Sequence, residues 1–262
     1  MRTRPGSGSK APAVSKAVAV LDSLARSAEA GSISGLARRI EVPKSSVADI
    51  CATLSDLGLL SRNRDGRYLL GQHVVELARG LVGGQRLIEV FTEACLSVPA
   101  ASEETVTLSI LDGADSVIVA ARHGRATLPV TARVGLRLPV WSTASGRCFL
   151  AALPEARIGE ILALGSVTAA GVTGRLPATR QFAVDLAAER RRGFHVDDQS
   201  IAAGMTSFSA PIQGERPRDV IASVAISTRT DTLSDARAAD LGTAAIAVAA
   251  ACRSLSAAVG NV

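Results

Sequence analysis

Residues 41–71 read EVPKSSVADICATLSDLGLLSRNRDGRYLLG, and their apolar pattern changes from a helical to a strand-like period at Gly58. Val47, Ile50, Cys51 and Leu54 fall at i, i+3, i+4 and i+7, one face of a helix from Lys44 to about Leu57. Glu41, Val42 and Pro43 form the turn before it. Gly58 suits the C′ position, where left-handed backbone carries no Cβ penalty. LLSR and RYLL then flank NRDG, whose Asp-Gly pair is a strong hairpin signal. A helix leading directly into a short hairpin restricts the architectures open to this part of the chain.

The upstream residues supply the partners. A helix starting at Ser15 as N-cap carries Ala17, Val20, Leu21 and Leu24 on one face. Gly31 and Ser32 break that pattern, and Ser34 is the expected cap of a short helix with Leu36, Ala37 and Ile40. Three helices and a hairpin in about 60 residues make a winged helix-turn-helix. The third helix shows Ser45, Ser46, Ala48, Asp49, Ala52 and Thr53 outward, all short, as a helix lying deep in the ~12 Å major groove requires. Lys44, Ser45, Ser46 and Asp49 are therefore DNA-contact candidates; the plainer reading of the serines is a helix start. Arg62, Arg64 and Arg67 are placed at the hairpin tip to touch phosphates. Arg38 and Arg39 are either phosphate contacts or a solvated face.

Charge agrees with this division. Residues 1–72 carry 11 Lys and Arg against 6 Asp and Glu, while residues 73–262 carry 18 of each, so the formal net charge of +5 belongs to the N-terminal part. A basic module on a neutral body suits one part meeting a polyanion and the other doing something else. Four scattered cysteines, without CxxC or His at zinc spacing, argue against a disulfide framework or a structural zinc and read as small buried hydrophobes. No cofactor is called for. The start of the chain has no secretory pattern, and the longest apolar run, near Ala244–Cys252, is far short of the ~20 residues of a membrane helix. The expected setting is cytoplasmic, with no membrane.

Residues 1–13 read as a disordered tail, 14–72 as the DNA-binding domain, 73–84 as a linker helix and 85–262 as an effector-binding domain. The linker's Val74, Leu77, Ala78 and Leu81 form a stripe too isolated to bury itself, which points to a partner chain. A helix from about Arg86 to Val98 opens the next domain. TVTLSIL and SVIVAAR flank DGAD, a second hairpin signal; ATLPVTARVG and LRLPVW look like further strands. STASGRCFLAALPEARIGEIL and ATRQFAVDLAAERRRG read as helices, FHVDD, TSFSAPI and VIASVAIS as strands, and Ser234–Ala258 as a last helix. The expectation is α+β, an antiparallel sheet flanked by helices.

In order and spacing, LARRIEVPKSSVADICATLSDLGLLSRNRDGRYLLG, TVTLSILDG, RVGLRLPVWSTASGRCFLAALP and RRRGFHVDDQSIAAGMTSFSAPI resemble blocks of the IclR family of transcriptional regulators. The resemblance covers nearly the whole chain. It implies a homodimer or homotetramer on a palindromic double-stranded operator, with a GAF-like C-terminal domain binding a small organic effector. It places the effector at Thr143, Ala144 and Ser145, at Asp197, Met205 and Ser207, and at Ala225 and Ser227. Three places depart from the family pattern: Ser207 where Cys is frequent, Thr228-Arg229 where Gly-Pro usually follows the serine, and Asp49 where a basic or polar residue is commoner, its carboxylate either accepting from a cytosine N4 or repelled by phosphate and turned aside.

Two other functions are open to the same residues. Ser145, His123, His195 and Asp197 are raw material for a hydrolase triad, but TASGR is not G-x-S-x-G and no strand-turn-helix elbow is evident. A winged helix serving protein contacts would show no DNA binding even at low salt. Asp197 with Asp198 also reads as a plain turn; Ser207, Ser209 and Ser227 as solvent-facing; and Trp141 as core or pocket wall. The basic wing gives a test. Arg64→Ala should weaken binding to all DNA sequences and lower the salt slope, d log K/d log[salt], by about one. Fluorescence anisotropy across a salt series checks it; an unchanged slope places Arg64 off the backbone.

Overall fold

The computed structural model describes residues 10–26, 31–81, 85–164, 179–214 and 220–258. The chain divides into two compact units, 1–84 and 85–262.

In the first unit α1 (Pro12–Ala25), α2 (Ile33–Ile40) and α3 (Lys44–Asp56) pack around Val20, Leu24, Leu36, Val47, Cys51 and Leu54. Two helix starts differ from the sequence expectation. α1 begins at Pro12 rather than being capped by Ser15, because proline's fixed φ and missing N–H suit the first helical position. α2 is capped by Ser32, which accepts from the Gly35 N–H, not by Ser34. Glu41, at φ 56°, makes the tight turn into α3, and Gly58, at φ 69°, sits where the sequence placed it. β1 (Leu60–Arg62) and β2 (Tyr68–Leu70) form the wing. Its tip is a five-residue loop, longer than Asp-Gly alone implies. Asn63 Oδ1 accepts from the Asp65 and Arg67 N–H groups, and Gly66 takes φ 72°. Gly31 exchanges both backbone hydrogen bonds with Tyr68, tying the wing to the start of α2. α4 (His73–Leu81) follows. The expected tail lies largely outside the described residues, as do Gly83, Gly84 and the Leu81 side chain.

The second unit opens with α5 (Gln85–Ser97) and the short α6 (Pro99–Ser102). Among the described residues it then builds a six-stranded antiparallel sheet in the order β5-β4-β3-β8-β7-β6. Its strands are β3 (Thr105–Asp112), β4 (Asp115–Arg122), β5 (Arg137–Pro139), β6 (His195–Asp198), β7 (Met205–Gln213) and β8 (Val220–Arg229). β3 and β4 join through the expected tight turn, with Gly113 at φ 63°. Arg137 closes that turn by pairing with Asp112 and with Asp115, buried beneath it. Residues 126–136, expected as strand, are irregular, and only Arg137–Pro139 pairs with β4. The single helix expected after Ser142 is two, α7 (Ala144–Ala152) and α8 (Glu155–Leu164), because Pro154 cannot continue α7. α9 (Thr179–Arg192) and α10 (Asp235–Ala258) match their predicted segments. All four cysteines are buried; loss of hydration pushes Cys95 up to about 11 and Cys148 and Cys252 up to about 12, so all three remain thiols at neutral pH.

One buried cluster fastens α7, α9 and β6 together. Glu189 Oε1 takes an N–H of Arg147 at 2.6 Å, while its Oε2 takes Arg147 Nε at 2.9 Å and His195 Nδ1 at 2.8 Å. His195 is 2% exposed. Burial alone would raise the Glu189 pKa, but the hydrogen bonds from His195 and Arg147 and the Arg147 charge outweigh it and leave it lowered. Arg147 also stacks over the Phe182 ring at 5.2 Å. Glu189→Ala strands Arg147 and His195 without their shared acceptor. It should cost about 2–3 kcal/mol, below the value for a fully buried pair because Arg147 keeps partial solvent access. The urea unfolding midpoint checks it, and Glu189→Gln should lose less.

Candidate functional sites

The outward face of α3 is composed of Ser45, Asp49, Ala52 and Thr53, all exposed, with Lys44 beside them in the first turn. Ser46 and Ala48 are half-buried, so the expected face is narrower than the sequence suggested. Pro43 occupies the N-cap position and no side chain caps this helix, so the serines are not consumed as caps. Arg38 and Arg39 are exposed in the last turn of α2, where a cation also meets the helix dipole favourably. Arg62 differs from the other wing arginines. It lies on β1 and stacks 4.7 Å from the Tyr68 ring centroid while donating to the Tyr68 hydroxyl. Arg64 and Arg67 are exposed in the tip loop.

In the second unit, Thr143, Ala144, Ser145, Asp197, Met205, Ser207, Ala225 and Ser227 all line one cavity of about 60 Å³. Four segments converge because the strand period and α7 direct them there. Ser207 pairs with Ser227 across β7 and β8, their hydroxyls 2.9 Å apart. Gly146 lets the start of α7 press onto Val140, since a Cβ there would lie 2.2 Å from the Val140 carbonyl oxygen. Thr143 caps α7 by accepting the Gly146 N–H at 2.8 Å. Asp197, 3% exposed, accepts the Ser200 N–H at 2.8 Å and so fixes the β6–β7 turn. Burial raises its pKa against the opposing hydrogen bonds from Ser200 and Ile201.

Sequence reasoning missed the cavity's β3 wall, Thr105, Thr107 and Ser109. The signal was present, a hydroxyl at every second position of TVTLS. A bulge between Leu108 and Ser109 sets Ile118 opposite Ser109, and Ser116 and Ile118 complete that wall. The irregular stretch mistaken for a strand supplies Leu128, Val130 and Ala132. Trp141 packs on the cluster around Val140 and Leu150 and is not in the lining. Deeper on the same sheet face, Ser209 Oγ donates to the Val224 carbonyl oxygen and lies 2.9 Å from Ser223 Oγ and 3.4 Å from Ser145 Oγ.

The lining holds one ionisable side chain, Asp197, and no Lys, Arg or His. The triad alternative is not assembled: Ser145 meets Ser209, His195 is held by Glu189, Asp197 by Ser200, and His123 is exposed. Among the described residues no group of three or more His, Cys, Asp or Glu is placed to hold a metal ion, and no helix is long and apolar enough to cross a membrane.

Comparison with known proteins places this geometry. Residues 13–64 match the IclR helix-turn-helix domain and residues 81–256 the bacterial transcriptional regulator IclR C-terminal domain. The chain is 28% identical over 229 residues to the HTH-type transcriptional regulator XynR of Escherichia coli, covering 87% of this chain and 90% of that protein. It is 24% identical over 250 residues to the transcriptional repressor IclR of the same organism, covering 94% and 90%. Among solved structures, the Agobacterium tumefaciens repressor BlcR matches at 31% identity and a TM-score of 0.56, over 94% of this chain and 97% of that one. An IclR homolog from Microbacterium hydrocarbonoxydans, complexed with 4-hydroxybenzoate, matches at 25% identity and a TM-score of 0.77, over 92% and 99%. With both domain models matched in order and the wing and hydroxyl-lined cavity each in place, the chain belongs to the IclR family of transcriptional regulators.

Proposed function

We propose that this protein controls transcription by gripping a palindromic operator as a homodimer or homotetramer, and that one small organic effector in the hydroxyl-lined cavity sets its affinity for that operator. The observation that carries the reading is that the eight residues implied by the resemblance, from four separate segments, line one cavity. Lys44, Ser45, Ser46 and Asp49 read the major groove, while Arg38, Arg39, Arg62, Arg64 and Arg67 hold phosphates. Arg62 does so from its Tyr68 stack, a partly fixed position that lowers the entropy lost on binding. The protein acts without catalysis, cofactor or metal, in the cytoplasm.

The cavity selects its effector by what it lacks. With no cation in the wall, a carboxylate ligand relies on the Ala144 and Ser145 N–H groups at the start of α7, the Gly146 N–H being taken by Thr143. Asp197 favours a ligand hydroxyl or amide donor at the other side. Hydroxyls that pair with one another, Ser207 with Ser227, can turn toward a ligand at small cost. The 4-hydroxybenzoate bound by the Microbacterium homolog has this balance of one carboxylate and one hydroxyl. A volume of about 60 Å³ is below the about 300 Å³ of an ordinary small-molecule site, so ligand entry moves the irregular stretch bearing Leu128, Val130 and Ala132 outward.

Two measurements test this reading. A thermal-shift screen of small hydroxy acids, amides and aromatic acids identifies the effector. Ser207→Leu then fills the cavity and should weaken that effector by about 1–3 kcal/mol while leaving effector-free operator affinity near wild type. A variant that responds like wild type places the site elsewhere. Assembly is tested on α4, where Val75 is 65% and Leu77 58% exposed and Val74 and Ala78 are half-buried and exposed. Leu77→Asp should lower the association constant by placing a carboxylate in an apolar contact. Sedimentation velocity reads it, and a wild-type monomer at micromolar concentration removes the dimer from the proposal.

A further inference from the structure

A second cleft of this unit is separate from the effector cavity. It holds about 360 Å³ and lies beyond the end of β6, where β7 residues 210–213 have no partner on that side among the described residues. Ala151 and Ala152 of α7, Ala210 and Pro211 of β7, and Ile246 and Ala249 of α10 line it. A wall built so largely of alanine leaves a groove where longer side chains would have closed it, and the volume falls within the about 300–1,000 Å³ of small-molecule sites.

Charge complements the apolar wall. Arg190 and Arg253 line the same cleft, and neither has a carboxylate partner among the described residues. Arg253 has only a 3.4 Å contact to the neutral amide oxygen of Gln213. Six other arginines of this unit, Arg125, Arg137, Arg147, Arg157, Arg229 and Arg237, pair with carboxylates, while Arg122 and Arg192 meet backbone carbonyl oxygens instead, so what sets Arg190 and Arg253 apart is their place on one apolar cleft. His195, almost fully buried, also lines the cleft; Glu189 holds its Nδ1, and its second ring nitrogen has no partner among the described residues.

We propose that this cleft is a second small-molecule site, separate from the effector cavity, and that it takes an amphipathic monocarboxylate. The alkyl or aryl body lies on the alanine wall and the carboxylate is taken by Arg190 and Arg253, to which it offers planar charge-assisted hydrogen bonds. The two sites share three elements. α7 gives Ser145 to one and Cys148 to the other, β6 gives Asp197 and His195, and β7 gives Ser207 and Ala210. A ligand in the cleft therefore bears on the elements that frame the effector cavity.

The experiment is calorimetric titration of the full-length protein with sodium octanoate, and with 1-octanol as its neutral counterpart. Octanoate should bind the wild type, and octanol about tenfold more weakly. The exposed pair Arg190→Gln with Arg253→Gln should lower octanoate affinity by about tenfold or more, and Ala250→Trp, which fills the groove from its open side, by a similar factor. Ser207→Leu, which closes the other cavity, should leave octanoate affinity within about twofold of wild type. Octanoate binding that is lost in Ser207→Leu and survives in the arginine and Ala250 variants overturns the proposal. So does a wild type that takes up no octanoate at millimolar concentration, or Ala250→Trp altering the sedimentation of the protein with no octanoate bound to the wild type, which assigns the cleft to a second copy of the chain.

Discussion

Glu189 holds the sensing domain's geometry in one place. Its carboxylate joins Arg147 of α7 to His195 of β6, and α9, which carries it, lies alongside both. Thr143, Ala144 and Ser145 sit one turn before Arg147, and Asp197 sits two residues after His195. Fixing the two ends of this bridge therefore fixes the distance between the helix start and the acid that face each other in the cavity. A charge-assisted, partly buried bridge suits that task because its hydrogen bonds are directional, whereas apolar packing tolerates sliding.

The sheet serves two purposes on its two faces. Toward α10 it presents side chains such as Phe208, which lines a crevice with Ala238 and Ala239. Toward α7 it presents Thr105, Thr107, Ser109, Ser207, Ser223 and Ser227, most of them buried. Burying hydroxyls without partners is costly, and here adjacent strands satisfy them in pairs, Ser207 with Ser227 and Ser209 with Ser223. Small hydroxylated side chains leave a gap under α7 and keep it polar, which is what makes a cavity rather than a second apolar core. Each of these hydroxyls is both donor and acceptor, so the pairs keep hydrogen-bonding capacity for a further partner.

The DNA-binding unit solves a different problem, stabilising a small core while the outward face of α3 stays free of large groups. Val20, Leu36, Val47 and Cys51 are fully buried, and the Gly31–Tyr68 bridge recruits the wing to that core. Tyr68 then serves twice, buried below and stacked by Arg62 above. The outward residues of α3 are short, so the helix backbone can approach a groove closely, and the basic excess sits in this unit alone.

The sequence by itself determined the elements whose signals are local. The helical spacing of Val47, Ile50, Cys51 and Leu54, the left-handed Gly58, the Gly113 turn and the alternation of β7 and β8 were legible because each depends on neighbours a few residues away. The eight cavity residues were legible only through resemblance, since no local rule links Ser145 to Ser227. Local signals also misled: ATLPVTARVG read as strand although Pro129 cannot donate to a ladder, the sheet offered it no edge beyond the three residues of β5, and Leu128, Val130 and Ala132 became cavity wall. Ser34 was the expected cap of α2, but Ser32 takes that place, and the Gly31–Tyr68 bridge fixes the chain just ahead of it. Tertiary structure alone decided the β3–β4 bulge, which sets which side chains of SVIVAAR face the cavity, and the meeting of Glu189 with Arg147 and His195. Register and long-range ion pairs are fixed by the packing of whole elements against one another, and that information is spread over residues far apart in the chain.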